Sequence, residues 1–172
     1  MFSRGSRIDH IILSGIILAG LLFIFYLLAR SAKAPTPVQP IAYSHRIHAG
    51  ESKLPCLFCH RNADRSPVAG VPAVRVCMGC HQITAAQKPE ILKLKGYWDK
   101  GEPVPWVRVH RLPGHVRFTH KRHVRKDIAC QTCHGPIETM DRVRQWAPLS
   151  MGWCVKCHEK NGADRDCLVC HH

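Results

Sequence analysis

At 172 residues, the chain is one small module, or one module with an anchor; its formal net charge is +13, from 25 Lys and Arg against 12 Asp and Glu. Ten Cys, thirteen His and twelve Pro stand against five Phe and three Tyr, and large aliphatic residues thin out after position 30, which excludes a side-chain core of ordinary size and calls for a staple of disulfides, metals or cofactors. The charge would suit nucleic acid or an anionic membrane surface, yet no nucleic-acid motif is visible and nucleic acid is not an expected partner.

The first element is apolar. Ile11 to Ala29 runs for nineteen residues without a charge, and Ser14 is its one polar interruption. At about 1.5 Å per helical residue it spans about 28 Å, close to the hydrocarbon thickness of a bilayer. A cleavable signal peptide is the rival reading, but its apolar region usually runs about 7 to 15 residues. Ala32-Lys33-Ala34 mimics a cleavage site, and Pro35 directly after it hinders cutting. The expected organisation is a cytoplasmic amino terminus over 1–10 and a transmembrane anchor helix over 11–30. A stiff linker with Pro35, Pro37 and Pro40 then covers 31–42, and a periplasmic domain covers 43–172. Arg4 and Arg7 before the span nearly balance Arg30 and Lys33 after it, so flanking charge alone does not orient it.

Downstream, every cysteine belongs to a C-x-x-C pair: Cys56 and Cys59, Cys77 and Cys80, Cys130 and Cys133, Cys154 and Cys157, Cys167 and Cys170. Each pair is followed at once by histidine: His60, His81, His134, His158 and His171. C-x-x-C-H is the attachment signal for c-type haem. Two thiols one short turn apart add across the two vinyl groups of one haem, and the adjacent His binds the iron from the proximal side. Zinc sites, redox dithiols or disulfides also use C-x-x-C, but none of them requires a His after every second Cys. With His at about one residue in thirteen, five of five by chance is on the order of one in a few hundred thousand. The expected cofactors are therefore five covalently bound haem c groups. Their propionates, about ten in all, offset most of the basic excess. The densest basic run, Arg117 to Lys126, is expected to pack on haem and propionates. Covalent haem attachment takes place outside the cytoplasm, which orients the chain in the inner membrane with its haem domain on the periplasmic side.

Two segments repeat. His45-x-x-His48, seven residues, Cys56-x-x-Cys59-His60, sixteen residues, Cys77-x-x-Cys80-His81 is the first. His120-x-x-His123, six residues, Cys130-x-x-Cys133-His134, nineteen residues, Cys154-x-x-Cys157-His158 is the second, and Cys167 to His171 is a fifth site appended to it. Tyr43-Ser44 and Phe118-Thr119 hold the same place before each histidine pair. Histidines three apart on one turn project to neighbouring irons, so His45, His48, His120 and His123 are expected distal ligands. The connector, 82–114, holds a short helix over Pro89 to Lys95 and then turns through Gly101, Pro103 and Pro105. No strand of ordinary length is visible.

For a fifth distal ligand the pool is His110, His115, His172, Met78, Met140 and Met151. His110 is preferred and Met151 is the rival, because it precedes Cys154 by three residues and a thioether raises the potential relative to imidazole.

Trp106-Val107-Arg108-Val109-His110-Arg111-Leu112-Pro113, Phe118-Thr119-His120-Lys121-Arg122-His123-Val124, Cys130-Gln131-Thr132-Cys133-His134-Gly135 and Ser150-Met151-Gly152-Trp153-Cys154 resemble the pentahaem cytochrome c subunit of bacterial alternative complex III. Ala69-Gly70-Val71-Pro72 before the second haem motif fits the same pattern, and the likeness covers 41–171. The resemblance implies a mainly irregular, small-α fold: a multihaem cytochrome c domain of the class III or c7-like kind, wrapped around five haems and preceded by one transmembrane helix. It also implies an electron-transfer subunit without its own catalytic site, carrying electrons from quinol oxidation toward a periplasmic carrier or terminal oxidase. The implied partners are integral membrane quinol-binding subunits, a large iron–sulfur subunit and a mono-haem cytochrome c. His115 does not sit where the resemblance places a ligand and stays outside the core set.

Two other classes remain beside this reading. One is a stand-alone membrane-anchored quinol dehydrogenase that feeds periplasmic reductases. The other is a multihaem reductase, which needs a five-coordinate haem with acid or base groups beside it, and no variant haem motif marks such a site.

Overall fold

The computed structural model of the chain describes residues 4–31 and 36–171. Ala32, Lys33, Ala34, Pro35 and His172, which enter the expectations above, lie outside them. The chain divides into two units, residues 1–35 and 36–172.

The first unit is one helix, α1 (Arg4–Ser31). Within it His10–Leu27 is long and apolar enough to cross a membrane by length and composition, and all of its side chains are exposed. An amino-terminal apolar helix of this kind serves as an anchor or as a signal.

The second unit is built of short helices, and there is no strand among the described residues. In order they are a π-helical turn (Arg46–Glu51), α2 (Cys56–Cys59), α3 (Val74–His81), α4 (Pro89–Lys100), α5 (His120–Val124), α6 (Cys130–His134), a 3-10 turn (Ile137–Thr139), α7 (Met151–Lys160) and α8 (Cys167–Cys170). Residues 36–42 belong to this unit. Gln39 exchanges two hydrogen bonds with the backbone of Val107 (2.8 and 2.9 Å), Ala42 N–H donates to Glu90 (2.7 Å), and Ile41 is buried.

The connector helix α4 runs to Lys100, five residues beyond the expected Lys95. Pro89 at its first turn presets φ and forfeits only an N–H that has no intrahelical partner there. Gly101 ends it in the left-handed conformation (φ +69°), where its N–H reaches the carbonyls of Tyr97 and Trp98. Gly96 is tolerated inside because Leu94 and Tyr97 anchor α4 to Met78, Val104, Ile41 and Trp106. This small cluster is the largest apolar contact of the unit. Beyond it only Ala63, Met140 and Ala147 are buried apolar residues, and no large side chain is fully buried among those described.

The repeat is visible in space. Tyr43 meets His45 edge-on (4.9 Å, 84°) and stacks on His48 (4.4 Å, 24°). Phe118 meets His120 edge-on (4.8 Å, 87°) and lies over His123 (4.6 Å, 32°). Lys53 and Asp127, each three residues before a first cysteine, both adopt positive φ (+55°). The first repeat carries one residue more between its histidine pair and its first cysteine, and it winds that residue into a π turn where the second repeat has an α turn. A π turn absorbs a single insertion without shifting the flanking chain, so the same register reaches Cys56 and Cys130.

Candidate haem-iron centres

All ten cysteines are free thiols, and each pair occupies one helical turn. Residues i and i+3 of a helix share a face, so the two sulfurs of each pair project together. Among the described residues no three His, Cys, Asp or Glu side chains converge on one metal position. The histidines instead come in facing pairs.

His60 faces His45 (ring centres 6.4 Å apart, planes 6° from parallel), and His81 faces His48 (5.9 Å, 69°). His134 faces His120 (6.4 Å, 11°), and His158 faces His123 (6.0 Å, 44°). His171 faces His115 (5.4 Å, 31°). An imidazole nitrogen bonds a first-row metal at about 2 Å and its ring centre lies about 1 Å further, so two rings on opposite sides of one ion have centres about 6 Å apart. The five pairs match that separation. Two thiols and two axial imidazoles per site are the side chains a covalently held haem needs, so the residues present fit that group.

The second nitrogen of seven of these ten rings supports the same geometry. Nδ1–H of a metal-ligating His commonly donates to a carbonyl or carboxylate, which fixes the tautomer and aims Nε2. Here Nδ1 of His60 meets Gly70 O (2.7 Å), that of His81 meets Thr84 O (2.9 Å), and that of His158 meets Asp164 O (2.6 Å). On the facing side, Nδ1 of His48 meets Ser44 O (2.8 Å), that of His120 Pro67 O (2.9 Å) and that of His123 Thr119 O (2.9 Å). Nδ1 of His171 meets His115 O at 3.1 Å. His134 departs from this rule, since its Nδ1 meets the side chain of His110. His45 departs too, with a buried Nδ1 that has no hydrogen-bond partner.

Burial sets the electrostatics. It pushes the imidazole of His45 down to about 4, with help from His60 and His48, and that of His134 down to about 4, with help from His110, His120, His60 and His45. Both rings are therefore neutral near pH 7, the form that can bind a metal. Burial likewise raises the thiols of Cys59, Cys77, Cys130, Cys133 and Cys154.

Of the two residues considered for a fifth axial position, His110 is half-buried against His134, and Met151 heads α7 with 67% of its surface exposed. His115, outside the expected set, is the residue opposite His171. No spacing rule singles it out, because the two lie 56 residues apart. Its one signal is that His171 lacks an H-x-x-H turn of its own.

Residues 116–172 match the family described as cytochrome c7 and related cytochrome c. The chain is 24% identical over 160 residues to the multiheme cytochrome c subunit of a menaquinone reductase from Nitratidesulfovibrio vulgaris, covering 77% of this chain and 76% of that protein. It is also 26% identical over 145 residues to a high-molecular-weight cytochrome c of the same organism, covering 67% of this chain and 26% of that longer protein. By these likenesses residues 116–172 resemble cytochrome c7 and related cytochrome c, and the chain as a whole is similar to a multiheme cytochrome c subunit of a menaquinone reductase.

Proposed function

We propose that the chain is the five-haem, electron-carrying subunit of a membrane quinone-linked oxidoreductase. The observation that carries this is the set of five facing histidine pairs, each next to its own pair of free thiols. In this reading His60 and His45, His81 and His48, His134 and His120, His158 and His123, and His171 and His115 are the axial ligands. His110 and Met151 then hold no axial position. Haem bound in these sites would supply reversible one-electron transfer. The chain's own residues would hold each iron between two imidazole nitrogens, with the tautomer of most rings set by the hydrogen bond at Nδ1, and would leave no position for a substrate. No acid–base apparatus is required of them, and the chain itself performs no bond chemistry.

The finer assignment is to alternative complex III, with electrons leaving quinol for a periplasmic carrier or terminal oxidase. It rests on the sequence likeness across the Trp106–Val124 block. Its partners would be quinol-binding membrane subunits, a large iron–sulfur subunit and a mono-haem cytochrome c, with α1 as anchor and the haem unit on the periplasmic side. A second reading, in which electrons run toward menaquinone, is favoured by the relative whose name is menaquinone reductase.

Native purification from membranes, with haem staining and mass spectrometry of the co-purifying subunits, tests the first statement. A chain that leaves the membrane without stoichiometric partners would mark a stand-alone dehydrogenase instead. Stopped-flow mixing of the isolated complex separates the two directions: rapid haem reduction by menaquinol supports quinol oxidation, and rapid haem oxidation by menaquinone, with slow reduction, supports the reverse.

A further inference from the structure

The geometry points to a linear array in which the five sites follow one another as second, first, third, fourth and fifth, joined at the centre by the first and third. This rests on the reading that each histidine pair holds one haem, and it goes beyond that reading by fixing which haems are neighbours and which are terminal.

Within each repeat the neighbours follow from one turn of chain. His45 caps the π turn that carries His48, and the two face His60 and His81, so the first and second sites adjoin. His120 and His123 share α5 and face His134 and His158, so the third and fourth adjoin.

Between repeats the contact is reciprocal. The chain after the first haem motif receives the distal turn of the second repeat: the backbone N–H of His120 and Nδ1 of its ring meet Pro67 O (3.1 and 2.9 Å), and Lys121 N–H meets Ser66 O (3.1 Å). The chain after the third motif receives the distal turn of the first repeat: Arg46 N–H donates to Met140 O (3.1 Å), and Ser44 Oγ donates to Asp141 (2.6 Å). Gly50 packs so closely on the Glu138 carbonyl that a Cβ there would overlap it. Each repeat thus holds the other's histidine turn, in an approximately two-fold arrangement. Such an arrangement brings equivalent positions together at its centre, and the thiols of Cys56 and Cys130, equivalent in the repeat, lie close enough to interact. The first and third sites are the ones that meet.

The fifth site joins at the far end. His115 and Arg117 hold it, the latter through a 2.7 Å backbone bond to Cys170 O, and Cys170 lies near Cys154 of the fourth motif. The termini of the array are therefore the second and fifth sites. Ile83, 89% exposed two residues after His81, and Leu168, 72% exposed between the last two cysteines, mark both ends as open to solvent. An electron that enters at one end and leaves at the other passes all five sites, and the crossing between repeats falls in the middle.

The test is electron cryo-microscopy of the haem-loaded, full-length protein in its native complex, read as iron positions. The expected result is that the first and third irons are nearest neighbours across the repeats, and that the second and fifth irons have one near neighbour each, the first and the fourth. Five histidine-ligated irons in any other neighbour order overturn the array and leave the functional reading intact. Irons ligated by other residues overturn that reading, and the array with it.

Discussion

Nε2 of His110 lies 3.3 Å from Nδ1 of His134, with the two rings crossed at 78° and their centres 4.4 Å apart. The other proximal histidines meet backbone carbonyls, so the third site alone has a proximal ligand steadied by a side chain that mutation can remove.

Removing that acceptor tests its effect on the proposed haem. With Nε2 of His134 on iron, its Nδ1–H donates to His110, which raises the basicity of the ligand and favours the oxidised metal. A neutral hydrogen bond contributes about 1 kcal/mol, or about 40 mV for a one-electron couple. His110→Phe should therefore raise one of five midpoint potentials by that order and leave all five haems low-spin. Potentiometric titration with EPR reads both. A new high-spin haem in this variant would assign His110 to an axial position.

The pair His115 and His171 gives the complementary expectation. His115→Gly should convert one haem of five to a five-coordinate, high-spin form, and added imidazole should restore the low-spin spectrum. Met151→Leu should leave the spectrum and potentials as they are, because Met151 is exposed at the start of α7 and outside the proposed histidine pairs. Near-infrared magnetic circular dichroism distinguishes His–His from His–Met coordination directly.

Gly135 closes the third motif with φ +71° and ψ −165°, a region essentially confined to glycine, and a Cβ there would overlap the Trp146 ring. Gly135→Ala should destabilise the haem-loaded protein by about 2–4 kcal/mol. Gly101→Ala, which meets only the left-handed penalty in open space at the end of α4, should cost about 1 kcal/mol. Thermal unfolding followed by near-UV circular dichroism ranks the two.

The clasp between repeats should depend on pH. Asp141 accepts from Arg46 (3.1 Å) and Ser44 (2.6 Å), and these bonds hold its carboxyl below the ordinary value of 3.8. A carboxylate whose folded pKa is lowered contributes stability above its unfolded pKa and loses it as pH falls through the folded one. The Tm difference between wild type and Asp141→Asn should thus be largest near neutrality and be lost as pH falls below the ordinary carboxylate value. A difference that persists at pH 2 would trace to packing rather than charge.

Much of the candidate site was legible because its signals are local. C-x-x-C-H needs one helical turn, and the matched Tyr43 and Phe118 precede histidine turns that the structure shows stacked in the same way. The scarcity of large apolar residues foretold the thin core and the short helices. What could not be read was anything settled at long range. His110 and His115 lie ten and five residues before His120, and only tertiary contact sets one against His134 and the other against His171. The longer α4 had the same cause, since Leu94 and Tyr97 recruit the turn that Gly96 alone would discourage. The π turn was hidden in a one-residue difference between two spacers.

The thin core has a consequence for how the protein comes into being. Few side chains are buried enough to drive collapse, and no large one is fully buried among those described. A group that binds only the folded chain contributes its binding free energy to folding. If porphyrin faces supply the missing apolar surface, assembly and cofactor attachment are one thermodynamic event, and a chain starved of haem is a substrate for proteases rather than an apoprotein in waiting. Cellular abundance of the polypeptide would then report the supply of haem, with a steepness set by how many of the proposed attachments the fold requires before it closes.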